Sequence, residues 1–226
     1  MTSIDNRLQA VQTTIQAIKL HANCSQHVNV LAVSKAKPAA AVREAYLAGQ
    51  TMFGENYLQE ALDKQVQLTD LPIEWHFIGP IQSNKTQLIA RHFAWVHSID
   101  RLKIAQRLNE ARPANMQPLQ VCIQVNISHE ESKSGVLPDE LSALATAMTK
   151  LPRLQLRGLM AIPAPSGDNQ QQRAQFRQVR QCYDALVAEG FALDTLSMGM
   201  SDDYEMAIEQ GATIIRLGSC IFGARN

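Results

Sequence analysis

The sequence predicts an α/β fold, a single (β/α)8 TIM-like barrel with an extra N-terminal helix, and three observations carry the prediction. Short apolar runs alternate with amphipathic stretches about eight times, and the 226-residue chain has the length of one such barrel. No linker or low-complexity segment interrupts the series, so residues 1–226 read as one domain. Neither Gly-x-Gly-x-x-Gly behind the first strand nor Gly-x-x-x-x-Gly-Lys-Ser/Thr anywhere is found, which counts against Rossmann and P-loop sheets. An open sheet of six or seven strands is the alternative.

Taken in order, Ile4, Leu8, Val11, Ile15 and Ile18 draw one apolar stripe along a helix that precedes the first strand. The run from Asn29 to Lys35 is that strand. Pro38 suits the first turn of a helix through Val42, Ala45 and Tyr46, which stops at Gly49. Thr51 to Gly54 is the second strand, with a helix marked by Leu58, Ala61, Leu62 and Val66 behind it. Ile73 to Ile78 is the third, breaking at Gly79-Pro80 before a helix from Lys85 to Ala90. Trp95 to Ile99 is the fourth, and Asp100 is the expected N-cap of the helix carrying Leu102, Ala105 and Leu108. Leu119 to Val125 alternates, runs into a polar loop from Asn126 to Gly135, and is followed by a helix opening at Pro138. Gln155 to Met160 is the sixth strand, ending in the loop of Pro163 and Pro165. A long helix bears Phe176, Val179, Cys182, Tyr183 and Leu186 and closes at Gly190. Thr195 to Met198 and Thr213 to Leu217 are the last two strands, with a helix from Glu205 to Gln210 between them.

Composition narrows the partners. Lys plus Arg and Asp plus Glu number 21 each, so no basic face invites nucleic acid and no acidic tail is present. The four cysteines, Cys24, Cys122, Cys182 and Cys220, form no CxxC pair and read as reduced thiols. The start lacks the charge and apolar pattern of a leader, and no run approaches the ~18 apolar residues of a membrane span. A cytoplasmic protein with a small-molecule ligand, or none, is expected.

In a barrel of this kind the chemistry sits at the C-terminal strand ends, and phosphate is commonly held by the loops after strands seven and eight. Strand seven runs into Met198-Gly-Met-Ser-Asp202 and strand eight into Arg216-Leu-Gly-Ser219, so each end supplies glycine beside a serine hydroxyl. Ser201 and Asp202 also precede a helix N-terminus. Either piece alone is an ordinary cap and tight turn. Together, facing Lys35 at the end of strand one, they describe a ligand with a phosphate at one end and a carbonyl at the other. Lys35 itself is either a solvated cap or an amine held in a pocket. Asn56 either donates to a ring oxygen or caps a helix. Arg216 either meets a ring nitrogen or pairs with an interior carboxylate. Pyridoxal 5'-phosphate and a phosphosugar aldehyde both fit that description. His76, His97 and His129 have no metal spacing and read as satisfied polar residues.

At these residues the chain resembles the pyridoxal phosphate homeostasis protein family. The segments concerned are Ala32-Val-Ser-Lys35, Phe53-Gly-Glu-Asn-Tyr57, Trp75 to Gln82 with Asn84-Lys85, Val125-Asn126 with Lys133-Ser-Gly135, Gly158-Leu-Met160, Met198 to Asp202, and Arg216 to Gly223. The resemblance covers nearly the whole chain, in order. It implies a barrel like the N-terminal domain of alanine racemase, with pyridoxal phosphate as cofactor. It further implies that Lys35 forms the Schiff base, Asn56 lies near the ring, Arg216 faces the pyridine nitrogen, and Ser201, Gly218 and Ser219 hold the phosphate. Ser219 departs from a frequent threonine, and both offer a hydroxyl. An arginine beside the ring nitrogen makes the ring a weaker electron sink. The chain also ends about where the barrel closes, without the second domain of the racemases. The expected role is therefore intracellular pyridoxal phosphate homeostasis, as a monomeric carrier without robust turnover that serves pyridoxal phosphate-dependent apoenzymes. A weak amino-acid racemase of the alanine racemase type is the alternative. Lys85, Lys133 and Cys220 are assigned no role.

Overall fold

The protein is described from a computed structural model that covers residues 3–128 and 134–223. Eight strands close into a parallel barrel in chain order. They are β1 Asn29–Val33, β2 Met52–Glu55, β3 Glu74–Phe77, β4 Trp95–Ile99, β5 Leu119–Val125, β6 Leu154–Ala161, β7 Thr195–Ser197 and β8 Ile214–Leu217. β8 returns to β1 with Leu31 opposite Arg216 and Ala32 opposite Leu217, which excludes the open sheet. Around them lie α1 Ile4–His21, α2 Ala39–Leu47, α3 Leu58–Gln67, α4 Thr86–His92, α5 Leu102–Ala111, α6 Leu141–Met148, α7 Asn169–Ala188, α8 Tyr204–Glu209 and α9 Ser219–Phe222.

The apolar stripe of α1 is buried at Ile4, Leu8, Val11 and Ile15. That helix covers α2, α8 and α9, at the seam where the barrel closes. Ser3 caps it, with Oγ accepting from Asn6 N at 3.2 Å. The expected cap on α5 is corrected: Arg101 holds the N-cap position. Asp100 instead binds the Arg101 guanidinium, with both carboxylate oxygens 2.7 Å from Nη1. Pro38 stands one position before α2, as its N-cap. The four-residue α9, unexpected from the sequence, begins directly after Gly218.

Strand alternation divides the interior into two unlike regions. Outward residues such as Trp75, Phe77, Val96 and Ile123 join the helices in one continuous apolar layer. Inside the barrel Trp95, Cys122 and Met160 form a small separate cluster. Beside it lie four buried polar side chains, His76, His97, Ser197 and Arg216. A barrel core with that much polar surface must satisfy it internally, because an unpaired buried polar group costs about 1–3 kcal/mol.

Candidate active site

The six residues singled out in the sequence, Lys35, Asn56, Ser201, Arg216, Gly218 and Ser219, line one cleft of ≈ 270 Å³ at the C-terminal mouth of the barrel. Val33, Ile78, Ile162 and Met200 add apolar wall, and Lys37 and Asp202 stand at the edge. A larger cavity of ≈ 730 Å³ opens at the opposite mouth, beside Glu74, Trp95 and Arg157, and contains none of the six. The smaller cleft is the candidate, because side chains from several strand ends converge there.

Lys35 lies two residues beyond the end of β1, half buried, and its flanks are clamped. On one side Ser34 is fully buried, its hydroxyl donating to Glu55 Oε1 at 2.6 Å. On the other Ala36 adopts φ 58°, a left-handed backbone that costs a residue with a Cβ about 1–2 kcal/mol. Its N–H donates to Glu60 Oε1 at 2.6 Å. Lys64 on α3 ties the two clamps together, donating at 2.6 Å to Ser34 O, Glu55 Oε1 and Glu60 Oε1 alike. Burial pushes the Glu55 carboxyl above its ordinary range, and the hydrogen bonds from Lys64 and Ser34 oppose that shift. No motif or spacing pointed to this network. Lys64 sits on a helix whose charged residues would ordinarily face solvent.

Asn56 is not a helix cap, since α3 starts at Leu58 with Tyr57 as its N-cap. Its Oδ1 is instead buried without a hydrogen-bond donor. Gly79 fixes its position: a Cβ there would stand 2.1 Å from Asn56 O and 2.8 Å from Asn56 C. Gly79→Ala is therefore expected to part β2 from the β3 loop, to destabilise the protein by about 1–3 kcal/mol and to weaken ligand binding in the cleft. Urea unfolding with and without ligand measures both effects.

Arg216 does not pair with a carboxylate among the described residues. Its Nη1 donates to Ser197 O at 2.7 Å and to Ser197 Oγ at 2.9 Å, and its Nη2 to Ala161 O at 2.9 Å. Burial lowers its pKa to about 10, so it remains a cation at neutral pH. The cleft thus has a buried guanidinium in its wall, with donors left over from the five that the group carries.

At the phosphate end, Ser201 Oγ accepts long bonds from Gly218 N at 3.4 Å and Cys220 N at 3.5 Å, and so faces the first turn of α9. Ser201 is not the cap of α8; Asp203 is. A Cβ on Gly218 would meet only Val33 O at 3.4 Å and Val33 Cβ at 3.7 Å, ordinary contacts. Packing does not demand that glycine, and its absent side chain leaves room beside the N–H groups for an anion. Cys220 is half buried, its Sγ 3.6 Å from Ser201 O. Lys85 is exposed and away from the cleft. Lys133 and His129 lie outside the described residues. His76 and His97 are satisfied polar residues, bonded to each other at 2.9 Å, and no metal cluster occurs among the described residues.

Comparison with known proteins adds to this geometry. The profile of the alanine racemase N-terminal domain matches residues 7–226. The pyridoxal phosphate homeostasis protein of Pseudomonas aeruginosa is 63% identical over 199 residues, covering 88% of this chain and 85% of its own. Its counterpart from Escherichia coli K12 is 51% identical over 230 residues, covering 100% of this chain and 98% of its own. PipY of Synechococcus elongatus PCC7942, solved with pyridoxal phosphate bound, is 39% identical at a TM-score of 0.86, over 98% of this chain and 100% of that one. Alanine racemase from Corynebacterium glutamicum shares the fold alone, at 18% identity and a TM-score of 0.68, over 96% of this chain and 61% of that one.

Proposed function

The chain belongs to the family of alanine racemase N-terminal domains and, with it, to the pyridoxal phosphate homeostasis proteins, and on that premise we propose that it binds pyridoxal 5'-phosphate in the Lys35 cleft and maintains the intracellular supply of that cofactor. One observation carries the reading: six residues from the ends of β1, β2, β7 and β8 meet in a single cleft, with the lysine at one side and the Ser201 hydroxyl and the Gly218-Ser219 turn at the other.

Three features of the residues suit this cofactor. Asn56 brings to the cleft a half-buried amide whose Oδ1 is unsatisfied and whose NH2 can donate to a ring oxygen. Gly218 leaves a cradle that a side chain would fill. Arg216 supplies a cation with no carboxylate attached among the described residues. Bound pyridoxal phosphate supplies an aldehyde for a Schiff base, a phosphate and an electron-withdrawing ring. Lys35 offers the amine, and its clamped flanks hold that amine toward the cleft. Ser201, Gly218 and Ser219 receive the phosphate. Arg216 donates toward the ring nitrogen and, being positive, keeps a proton off it, which weakens the ring as an electron sink. That favours holding and releasing the cofactor over racemisation. Delivery to apoenzymes, by a monomer in the cytoplasm, completes the proposal.

Addition of pyridoxal phosphate to the purified protein tests it. A long-wavelength absorbance that saturates at about one cofactor per chain is expected. A spectrum equal to the sum of the separate components overturns the reading.

A further inference from the structure

Arg216 stands at one end of a hydrogen-bonded chain that crosses the barrel interior to its opposite mouth. Its Nη1 donates to Ser197 Oγ at 2.9 Å. Ser197 Oγ lies 2.8 Å from His97 Nδ1, and His97 Nε2 lies 2.9 Å from His76 Nδ1. His76 Nε2 lies 3.0 Å from Glu74 Oε1. Ser197, His97 and His76 are each 0% exposed. Glu74, with a side chain 45% exposed, opens on the N-terminal cavity.

The two ends assign every hydrogen between them. A guanidinium only donates, so Ser197 Oγ accepts from Arg216, and with Glu74 accepting at the far end and both imidazoles neutral its own hydrogen goes to His97 Nδ1. A neutral His97 then carries its proton on Nε2 and gives it to His76 Nδ1. His76 in turn donates from Nε2 to Glu74, a carboxylate that only accepts. The reverse sense would leave His76 Nε2 without its hydrogen and require Glu74 to donate from a protonated carboxyl, since Ser197 Oγ, with two lone pairs, could accept from Arg216 and His97 together. Burial lowers the pKa of His76, and that of His97 further, His76 and Arg216 adding to the effect. Both imidazoles are accordingly neutral. The Glu74 carboxyl is held down chiefly by its bond from His76. Trp95 stacks on His76 with ring centroids 5.4 Å apart at 5°, which fixes the ring plane. Head-to-tail bonds of this kind polarise one another. Charged and titratable groups outside the hydrogen-bonded chain face both ends: Arg157, His27, Arg112 and Asp194 around the cavity of Glu74, and Asp203, the Cys122 thiol and the cleft residues Lys35, Lys37 and Asp202 around Arg216.

We propose that Ser197, His97, His76 and Glu74 are positioning residues for Arg216, which fix the orientation of its guanidinium in the cleft wall and couple it to the charge at the N-terminal mouth. None of the four lines the cleft. The effect on a bound cofactor rests on the pyridoxal phosphate reading, whereas the coupling to Arg216 does not.

Nitrogen-15 NMR of the full chain, with labelled histidine and arginine, reads the coupling without cofactor. His76 and His97 are expected as neutral Nε2–H tautomers near neutral pH. Glu74→Gln keeps an acceptor but removes the charge, and should shift the His97 and Arg216 resonances from the far mouth. With pyridoxal phosphate added, Ser197→Ala should weaken binding about tenfold, the loss of one hydrogen bond to a charged group, and Ser197→Thr should restore it. An Nδ1–H tautomer at His97, or Arg216 resonances unmoved by Glu74→Gln, overturns the inference. Parent protein with the expected tautomers and the expected Arg216 shift, but no cofactor absorbance, overturns the pyridoxal phosphate reading and leaves the positioning role standing.

Discussion

Lys35→Ala is expected to abolish the long-wavelength absorbance that pyridoxal phosphate acquires on the protein, while the fold survives. On the proposed reading the Lys35 amine makes the covalent bond to the aldehyde, and alanine removes it. The clamps around it use the hydroxyl and carbonyl of Ser34 and the N–H of Ala36, not the Lys35 side chain, so they persist in the variant. A half-buried lysine outside the core should change stability by less than about 1 kcal/mol when truncated. Ser201, Gly218 and Ser219, the proposed phosphate holders, are unchanged in the variant, and weak non-covalent binding is expected to remain with them. Absorbance and a thermal melt, both taken with and without cofactor, separate these effects. Persistence of the band would move the linkage to another lysine, with Lys37 of the same cleft the first to try.

The second large effect is at Lys64. Its side chain is 5% exposed and that of its partner Glu55 0%. Lys64→Met leaves Glu55 buried with its opposing cation gone, which typically costs about 3–5 kcal/mol. Glu55 is an acid whose pKa in the folded protein is already raised by burial, and loss of Lys64 removes the main opposing effect. For a raised acid, the stability it contributes is present below its unfolded pKa and is lost as pH rises through its folded pKa. The variant should therefore be more severely destabilised in mildly alkaline than in mildly acidic buffer. The double replacement Glu55→Leu with Lys64→Met removes both charges and should recover most of the loss. Denaturant unfolding across pH measures all three proteins. Equal destabilisation of Lys64→Met at both pH extremes would show that packing, not the orphaned carboxylate, sets the cost.

The site was legible in the sequence where chemistry and period coincide. Lys35, Asn56, Ser201, Arg216, Gly218 and Ser219 all fall at strand ends, and the regular β-α repeat puts strand ends at one mouth. The readings left open at Asn56 and Arg216 needed coordinates, because a cap and a ligand contact use the same residue types. Tyr57 in the N-cap position removes the cap reading of Asn56, and Arg216 donates to carbonyl and hydroxyl oxygens in place of a carboxylate among the described residues. Lys64 was illegible because helical period alone does not show that a neighbouring strand places Glu55 within reach. The chain from Glu74 to Arg216 was illegible for a different reason. Its members come from β3, β4, β7 and β8, and only closure of the barrel brings His97 to Ser197, 100 residues away in sequence. Asp100 misled because a good capping residue followed a strand, whereas the chain turns one residue later and Asp100 is taken up by Arg101.

Borohydride reduction of the cofactor-loaded protein, followed by proteolysis and mass spectrometry, tests the central claim most directly. One pyridoxyl phosphate group on the peptide containing Lys35, absent from Lys35→Ala, is the result predicted here. An unmodified Lys35 peptide, or label spread evenly over exposed lysines such as Lys85, would contradict it.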